Sequence, residues 1–224
     1  MEPVFEMIDV GGLRFQTRRG SWDGWVVNEV AYQGTYYSPL EIDSDDVVLD
    51  IGMNIGCFSV MAGALGCRVV GYEPDGENYL LSLRNIELNK LKSRITPHNK
   101  AVLGYAGTVT LYKHPRNNGC HTTLASTAEY VDSEVVEAVN IKDVLAGGGF
   151  TKVKMDCEGA EHEILMAVDD WGTVRIIRFE WHLSHLTNPQ FVEVLNKLKR
   201  QGFRTTVSGN PASLTKMVTA KKLK

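Results

Sequence analysis

Three acidic residues of this 224-residue chain, Asp50, Glu73 and Asp156, each follow directly after a short apolar run. Runs of this length and composition are typical of buried parallel strands. In a parallel α/β sheet the ligand lies outside the carboxyl ends of the strands. We therefore expect the three carboxylates to surround a bound ligand at one edge of a sheet, with Glu158 and Glu180 close by.

The segment after the first of these strands, residues 50–56, reads Asp-Ile-Gly-Met-Asn-Ile-Gly. A dinucleotide-binding loop needs the pattern G-x-G-x-x-G to bring a pyrophosphate onto a helix N-terminus. Position 54 is Asn instead, and the acid at position 50 adds a negative charge. S-adenosylmethionine carries no phosphate and brings two cationic groups, so the charge favours this methyl donor over the nicotinamide cofactor of an oxidoreductase. The predicted binding residues here are Asp50, Gly52, Asn54 and Gly56.

Two further acids complete the predicted cofactor site. Glu73 comes 17 residues after Gly56, at the end of the second strand, where a carboxylate is placed to accept hydrogen bonds from both ribose hydroxyls. Asp156 ends a later strand, and we expect it to face both the methionine end of the cofactor and the acceptor. Glu73 and Asp156 are therefore predicted to bind the cofactor.

Methyl transfer is an in-line displacement, so the enzyme mainly aligns the reacting atoms and assists deprotonation of the acceptor. The candidate catalytic residues are Asp156, Glu158 and His182. Glu158 could accept a proton from an acceptor hydroxyl or bind a cation. His182 ends the next strand and could act as a base near neutral pH, although a hydrogen-bonded structural histidine fits the same pattern. His121 lies in a polar loop from which it could touch the acceptor.

A divalent metal is an alternative use of the same side chains. Asp156, Glu158, Glu180 and His182 could hold Mg²⁺ or Mn²⁺, since oxygen-rich ligand sets suit these ions. The sequence does not give the relative geometry of these residues, so we do not favour a metal and assign no metal ligands. We expect Glu161 in the first turn of the following helix, where its negative charge interacts favourably with the helix dipole.

The elements that must position these residues alternate as strand and helix from residue 46 onward. This alternation predicts a Rossmann-like α/β fold with a mostly parallel sheet and helices on both faces. The segments 203–207 and 214–219 predict a closing hairpin that adds one antiparallel strand inside the sheet, with Leu214 and Met217 buried. Residues 1–45 are rich in aromatic side chains and read as a small β-rich N-terminal cover, with the cofactor-binding domain at 46–224.

Charge and composition restrict the classes of partner expected for this protein. Lys and Arg total 24 against 27 for Asp and Glu, a net charge of −3, and proteins that grip a phosphate backbone are usually basic. We therefore disfavour nucleic acid. The chain shows no secretory leader and no apolar stretch long enough to cross a bilayer, which predicts a cytoplasmic protein without membrane association. Four cysteines without a C-x-x-C pair are typical of reduced thiols.

Three motifs together resemble the FkbM family of S-adenosylmethionine-dependent methyltransferases: the loop at 50–56, Tyr72-Glu73-Pro74, and the segment 154–161, Lys-Met-Asp-Cys-Glu-Gly-Ala-Glu. The resemblance covers about residues 36–182. It implies a class I methyltransferase fold and, as for many members, methylation of a hydroxyl on a sugar or natural product. Met53 departs from the small residue common at that position, which we expect to alter packing only.

The sequence does not identify the methyl acceptor. The favoured partner is a small hydroxylated molecule. An RNA ribose methyltransferase, or another nucleic-acid methyltransferase on the same fold, is the nearest alternative, and an NAD-dependent oxidoreductase is disfavoured by Asp50 and Asn54. A scaffold without activity would be expected to have lost Glu73 or the loop glycines.

Overall fold

Strands and helices alternate along the computed structural model, which describes residues 4–36, 42–114, 117–124, 132–209 and 213–223. The strands are β1 (Phe5–Val10), β2 (Leu13–Arg18), β3 (Val47–Ile51), β4 (Arg68–Tyr72), β5 (Ile95–His98), β6 (Ala101–Leu103), β7 (Gly107–Lys113), β8 (Asp132–Asn140), β9 (Lys152–Met155), β10 (Ile176–His182), β11 (Phe203–Ser208) and β12 (Thr215–Lys222). The helices are α1 (Asp23–Val27), which continues as a π-helical turn (Asn28–Tyr32), α2 (Cys57–Ala64), α3 (Gly76–Leu88), α4 (Ile141–Gly148), α5 (Glu161–Ala167) and α6 (Asn188–Arg200).

Seven strands of the described chain form the central sheet, in the order β11-β12-β10-β9-β3-β4-β5. β12 runs antiparallel to both of its neighbours, β10 and β11. The other pairs in this sheet are parallel. The predicted mostly parallel sheet with one antiparallel strand is confirmed, and the last strand lies inside the sheet as the closing hairpin predicted.

Helices cover both faces of this sheet because successive side chains of a strand point to opposite sides. In β3, Leu49 belongs to a core that includes Ile164 of α5, whereas Val48 belongs to a second core that includes Phe58 of α2. All five residues of β3 are buried. This central strand is therefore rigidly held, and the loop that follows it starts from a well-defined position.

The N-terminal segment packs over α2 and α3. β1 and β2 form an antiparallel hairpin within the expected β-rich cover, with Val10 paired to Leu13. Phe15 is fully buried in the second core, and the backbone N–H of Gln16 donates to Asn85 of α3 at 2.7 Å. The hairpin thereby carries α1 and the π-helical turn to the carboxyl edge of the sheet. A domain boundary at residue 45 stays a prediction.

Several details differ from the sequence-based expectations. Leu214 is 66% exposed and Met217 is only partly buried, because the core positions of β12 are Val218 and Ala220. The pair Asn188-Pro189 predicts a helix cap at Asn188, but Thr187, one residue earlier, caps α6 through a reciprocal hydrogen-bond pair with Gln190.

The segment before β9 also holds more regular structure than its sequence predicts. Helix α4 was not predicted. β8 lies between β6 and β7 in a separate three-stranded sheet. The closing hairpin predicts a turn between its two segments at Gly209-Asn210-Pro211, which lies mostly outside the described residues.

Candidate active site

The strand ends that were expected to converge do so in register. Ile51 pairs with Tyr72 and with Met155, and Met155 pairs with Phe179. The residues that come next along these four neighbouring strands therefore lie side by side at the carboxyl edge: Gly52, Glu73, Asp156 and Glu180.

The loop after β3 turns tightly against this edge. The N–H groups of Gly52 and Met53 both donate to the carbonyl of Tyr72, at 3.0 and 2.9 Å. Gly52 has a φ of +75°, and a Cβ at this position would lie 1.7 Å from the carbonyl oxygen of Asp156. Only glycine allows the loop to approach the segment after β9 so closely, and this contact joins the two halves of the site.

Asp50 lies beneath the loop instead of in the opening. It is fully buried, its Oδ2 accepts a hydrogen bond from Ser59 at 2.6 Å, and its Oδ1 lies 3.2 Å from Nζ of Lys154. Nζ of Lys154 also donates to the carbonyl of Gly52 at 2.6 Å. Burial opposes the charge on Lys154, yet Asp50 and Asp156 outweigh it and raise the pKa of the amine. Asp50 therefore supports the loop through Lys154.

Glu73 follows β4 and is held by two backbone groups. Its Oε2 accepts from the N–H of Asn54 at 2.7 Å, and its Oε1 accepts from the N–H of Asp75 at 2.9 Å. Burial raises the pKa of this carboxyl to about 7, against the lowering effect of the two N–H groups. Asn54 adopts a left-handed φ of 53°, which brings its N–H towards the glutamate.

Glu73 opens onto a cleft of about 600 Å³, which we call the strand-end cleft. Its polar lining includes Gly52, Asn54, Glu73, Asp156 and Glu158. Its apolar lining includes Tyr72, Ala101, Val102, Leu103 and Leu111. A few polar groups set against an apolar wall are the lining of a small-molecule site. Gly56 begins α2 behind the loop, with a φ of +84° and close packing against Ser82.

A second cavity of about 1080 Å³, the acidic cavity, adjoins the first. It shares five lining residues with the strand-end cleft: Gly52, Asn54, Gly119, Asp156 and Glu158. Its own lining includes Trp22, Trp25, Glu29, Tyr36, Glu180 and His182. The two cavities therefore meet at the loop after β3 and at the acids after β9.

Tyr36 links two of the acids across this cavity. Its hydroxyl lies 2.5 Å from Oδ2 of Asp156 and 3.1 Å from Oε2 of Glu180. A hydroxyl has one proton to donate, so the second contact needs a proton on a carboxyl group. Burial, followed by the charge of Asp156, raises the pKa of Glu180, in agreement with this arrangement. Burial, followed by the charges of Glu180 and Asp156, likewise raises the pKa of Glu29 to about 7.

His182 stands between three carboxylates. Its Nδ1 lies 3.1 Å from Glu161, and its Nε2 lies 3.4 Å from Glu158 and 3.7 Å from Asp156. Burial disfavours the charged ring, but the carboxylates outweigh it and hold the pKa of His182 well above its ordinary value. Burial raises the pKa of Glu158 to about 8, although His182 opposes this shift.

Glu161 makes more structural contacts than its sequence position predicts. It opens α5, as expected, but it is fully buried. Its carboxylate accepts from the N–H groups of Cys157 and Gly159, at 3.0 and 2.8 Å, besides contacting His182. The charge of His182, its hydrogen bond and the N–H of Cys157 lower the pKa of Glu161 despite burial. The sequence signal for this structural role was the position of Glu161 as the last acid of the motif at 154–161.

His121 lies on the side of the strand-end cleft, not of the acidic cavity. Its Nδ1 accepts from the N–H of His114 at 3.1 Å, and its Nε2 lies 3.7 Å from Asp75. The expected contact with the acceptor therefore has no support from its position. Tyr36 and the two tryptophans were missed as site residues, because their segment carries no motif that anchors it to the strand ends.

A family model described as the methyltransferase FkbM domain matches residues 50–205, more than half of the chain. The chain belongs to the FkbM methyltransferase family. It is an S-adenosylmethionine-dependent methyltransferase, and the resemblance read from its three motifs is confirmed. A search of curated proteins gives no match.

Solved methyltransferase structures share the fold of this FkbM-family protein. M. jannaschii TYW2 in complex with AdoMet is 13% identical, with a TM-score of 0.56 over 99% of this chain and 86% of that one. P. horikoshii TYW2 in complex with MeSAdo is 13% identical, with a TM-score of 0.53 over 98% and 70%. The Pyrococcus abyssi tRNA (uracil-54, C5)-methyltransferase, in complex with S-adenosyl-L-homocysteine, is 12% identical, with a TM-score of 0.55 over 98% and 44%.

The residues present suit S-adenosylmethionine. A buried carboxylate, Glu73, opens onto a cleft with an apolar wall, and Asp156 and Glu158 provide acidic groups for a cationic ligand.

Among the described residues, none of the helices has the length and apolar character needed to cross a membrane.

Proposed function

We propose that this protein transfers a methyl group from S-adenosylmethionine to a hydroxyl of a sugar or another small natural product. The observation that carries the proposal is the contiguity of the strand-end cleft and the acidic cavity. They share Asp156 and Glu158, so a donor in one and an acceptor in the other would meet at these carboxylates.

On the donor side, each residue has a separate part. Glu73 accepts from the ribose hydroxyls, while Gly52 and Asn54 bring loop backbone against the ligand. Asp50 and Gly56 act from behind the loop, the first through Lys154 and the second as the start of α2. Asp156 faces the junction of the two cavities. S-adenosylmethionine supplies the electrophilic methyl group when bound.

On the acceptor side, the hydroxyl must lose its proton as its oxygen gains the methyl group. Tyr36 holds one oxygen of Asp156, and Glu161 holds one nitrogen of His182. Glu158 lines both cavities and faces Nε2 of His182. We assign the proton acceptor to Glu158. Asp156 and His182 orient the acceptor and stabilise the charge around it.

The shape and charge of the acidic cavity support a small acceptor. Trp22 and Trp25 stand at its side with about half of their surface exposed, and their rings meet edge to face at 6.1 Å. Aromatic faces beside carboxylates provide apolar contact for a sugar ring and acceptors for its hydroxyls. The carboxyl groups of Glu29, Asp156, Glu158 and Glu180 offer no cationic partner to the phosphates of RNA. The P. abyssi neighbour is named for a tRNA reaction, so RNA belongs in the test.

The test is a screen with methyl-labelled S-adenosylmethionine against sugars, glycosylated natural products and bulk RNA. Label should enter a small hydroxylated compound and not RNA, and alkaline hydrolysis should leave the methyl ether intact. The matched control is Glu193→Gln, which removes an exposed glutamate of α6 that pairs only with His162 at 3.2 Å among the described residues. Label found solely in RNA would contradict the proposed acceptor.

A further inference from the structure

Three potential metal ligands lie together in the acidic cavity: Asp156, Glu180 and His182. Each offers one carboxylate oxygen or ring nitrogen, and these three atoms lie within 4.8 Å of one another. Ligands around one octahedral ion with bonds of ~2.1 Å stand roughly 3–4 Å apart. Small rotations of the two carboxylates would therefore bring the three atoms onto one ion. The relative geometry, which the sequence does not give, suits a shared cation.

The orientation of His182 is an independent sign of such a site. Its side chain is 5% exposed, and its Nδ1 faces the fully buried Glu161. Its Nε2 forms no hydrogen bond with any residue that the structure describes, and the nearest oxygens, on Glu158 and Asp156, are 3.4 and 3.7 Å away. Metal-binding histidines share this arrangement: one nitrogen donates its proton to a carboxylate, which fixes the tautomer and directs the other nitrogen at the metal.

The groups around the three residues, which for Glu180 include Thr215 as well as Tyr36, hold them in place and leave Oδ1 of Asp156 and Nε2 of His182 without a hydrogen bond among the described residues. Glu161 is itself fixed by the N–H groups of Cys157 and Gly159, so the ring of His182 is supported by the backbone after β9. The hydroxyl of Tyr36 contacts one oxygen of Asp156 and one of Glu180. The other oxygen of Asp156, Oδ1, lies on the side of Nε2 of His182.

We propose that Asp156, Glu180 and His182 form a divalent cation site that takes Mn²⁺, with Mg²⁺ as the weaker ligand of the same site. Two carboxylates with one imidazole suit Mn²⁺, since the nitrogen is less favourable to Mg²⁺. The site rests on these side chains alone. Its role rests on the proposed function: an ion here would bind the acceptor oxygen beside Glu158 and lower the pKa of the hydroxyl.

The test is a Mn²⁺ titration of the full chain after dialysis against a chelator, with the electron paramagnetic resonance signal of free Mn²⁺ as the readout. The wild-type protein should bind one ion per chain. Glu180→Gln and His182→Gln should each weaken binding at least tenfold, and Glu161→Gln should weaken it about 10–100-fold through the orientation of His182. Excess Mg²⁺ should displace the bound Mn²⁺.

Controls separate loss of the site from loss of the fold. His162→Gln removes a partly buried histidine that also pairs with a glutamate but lies outside the acidic cavity, and it should bind Mn²⁺ as the wild type does. Near-ultraviolet circular dichroism and S-adenosylhomocysteine affinity of Glu180→Gln should match the wild type. Absence of Mn²⁺ binding by the wild type, or unchanged binding by both Glu180→Gln and His182→Gln, would overturn the site. The titration needs no acceptor, so failure to find methyl transfer would leave its result untouched.

Discussion

The strand-end cleft and the acidic cavity adjoin each other but are built in different ways. The polar edge of the cleft is made by residues that follow neighbouring parallel strands, and its key side chain, Glu73, is held by the backbone N–H groups of Asp75 in its own loop and of Asn54 in the loop after β3. The acidic cavity is made by side chains from distant parts of the chain. Tyr36 and Asp156, which touch, are 120 residues apart.

This difference affects how each cavity responds to substitution. Backbone groups at strand ends move only if the sheet moves, so the position of Glu73 depends mainly on the backbone of the two loops that hold it. The acidic cavity depends on how the N-terminal segment packs over α2 and α3. We therefore expect substitutions in the cleft to change cofactor affinity and those in the cavity to change turnover or acceptor affinity.

The largest effect is expected for Glu158→Gln. Removing the proposed proton acceptor should reduce turnover by ~10²–10⁴-fold. Its amide keeps the shape of the side chain, so S-adenosylhomocysteine affinity by calorimetry should stay within about twofold of the wild type. Glu193→Gln is the control, as an exposed glutamate outside both cavities. Full turnover in Glu158→Gln would mean that alignment alone drives the reaction.

Glu73→Ala should produce the next largest effect, confined to the cofactor. Loss of hydrogen bonds to a charged group should weaken S-adenosylhomocysteine binding by ~1–3 kcal/mol. Calorimetry should show no comparable heat for NAD⁺ with the wild type. The control is Glu77→Ala, an exposed glutamate in the first turn of α3. Equal affinity in Glu73→Ala and the wild type would contradict the ribose assignment.

The raised pKa of Glu73, about 7, predicts a pH dependence of cofactor binding. Ribose hydroxyls donate to the ionised carboxylate, so S-adenosylhomocysteine affinity should fall about tenfold from pH 8 to pH 6. Glu73→Gln should flatten this dependence.

Unfolding should respond to pH in the opposite direction. The folded protein holds the Glu73 proton more tightly than the unfolded chain, so this group's contribution to stability falls as pH rises from about 4.5 to 7. Denaturant titrations of the wild type and Glu73→Gln across that range measure this contribution.

For the binding experiment, a cofactor affinity that does not change between pH 6 and pH 8 would show that ionisation of Glu73 does not affect cofactor binding.

The smallest effect is expected for Trp25→Ala, at the side of the acidic cavity. Loss of about 40 Å² of apolar contact with the acceptor is worth roughly 1 kcal/mol, which should raise the acceptor KM about fivefold and leave kcat unchanged. Tyr32→Ala is the control, since Tyr32 is more exposed and lies outside the cavity lining. A lowered kcat with an unchanged KM would place Trp25 in the chemistry instead of in acceptor binding.

Local patterns sufficed to predict the sheet and the cleft. The buried runs of β3, β4 and β9 end in the residues that meet at the carboxyl edge, because strand register brings equivalent ends together. Gly52 and Glu73 could likewise be predicted from the sequence, because each meets a structural requirement of its own turn. The prediction failed for Leu214, because the sequence of β12 does not show that the strand begins only at Thr215.

The sequence by itself determined the fold, the family and the class of cofactor, because these depend on short-range periodicity and on motifs whose residues are neighbours in the chain. Only the tertiary structure decided which side chains surround the acceptor. It placed Tyr36 between two acids, set Glu161 behind His182, and buried Asp50 beneath the loop. These contacts arise from packing between segments far apart in sequence, and no local pattern encodes the side-chain distances that such packing creates.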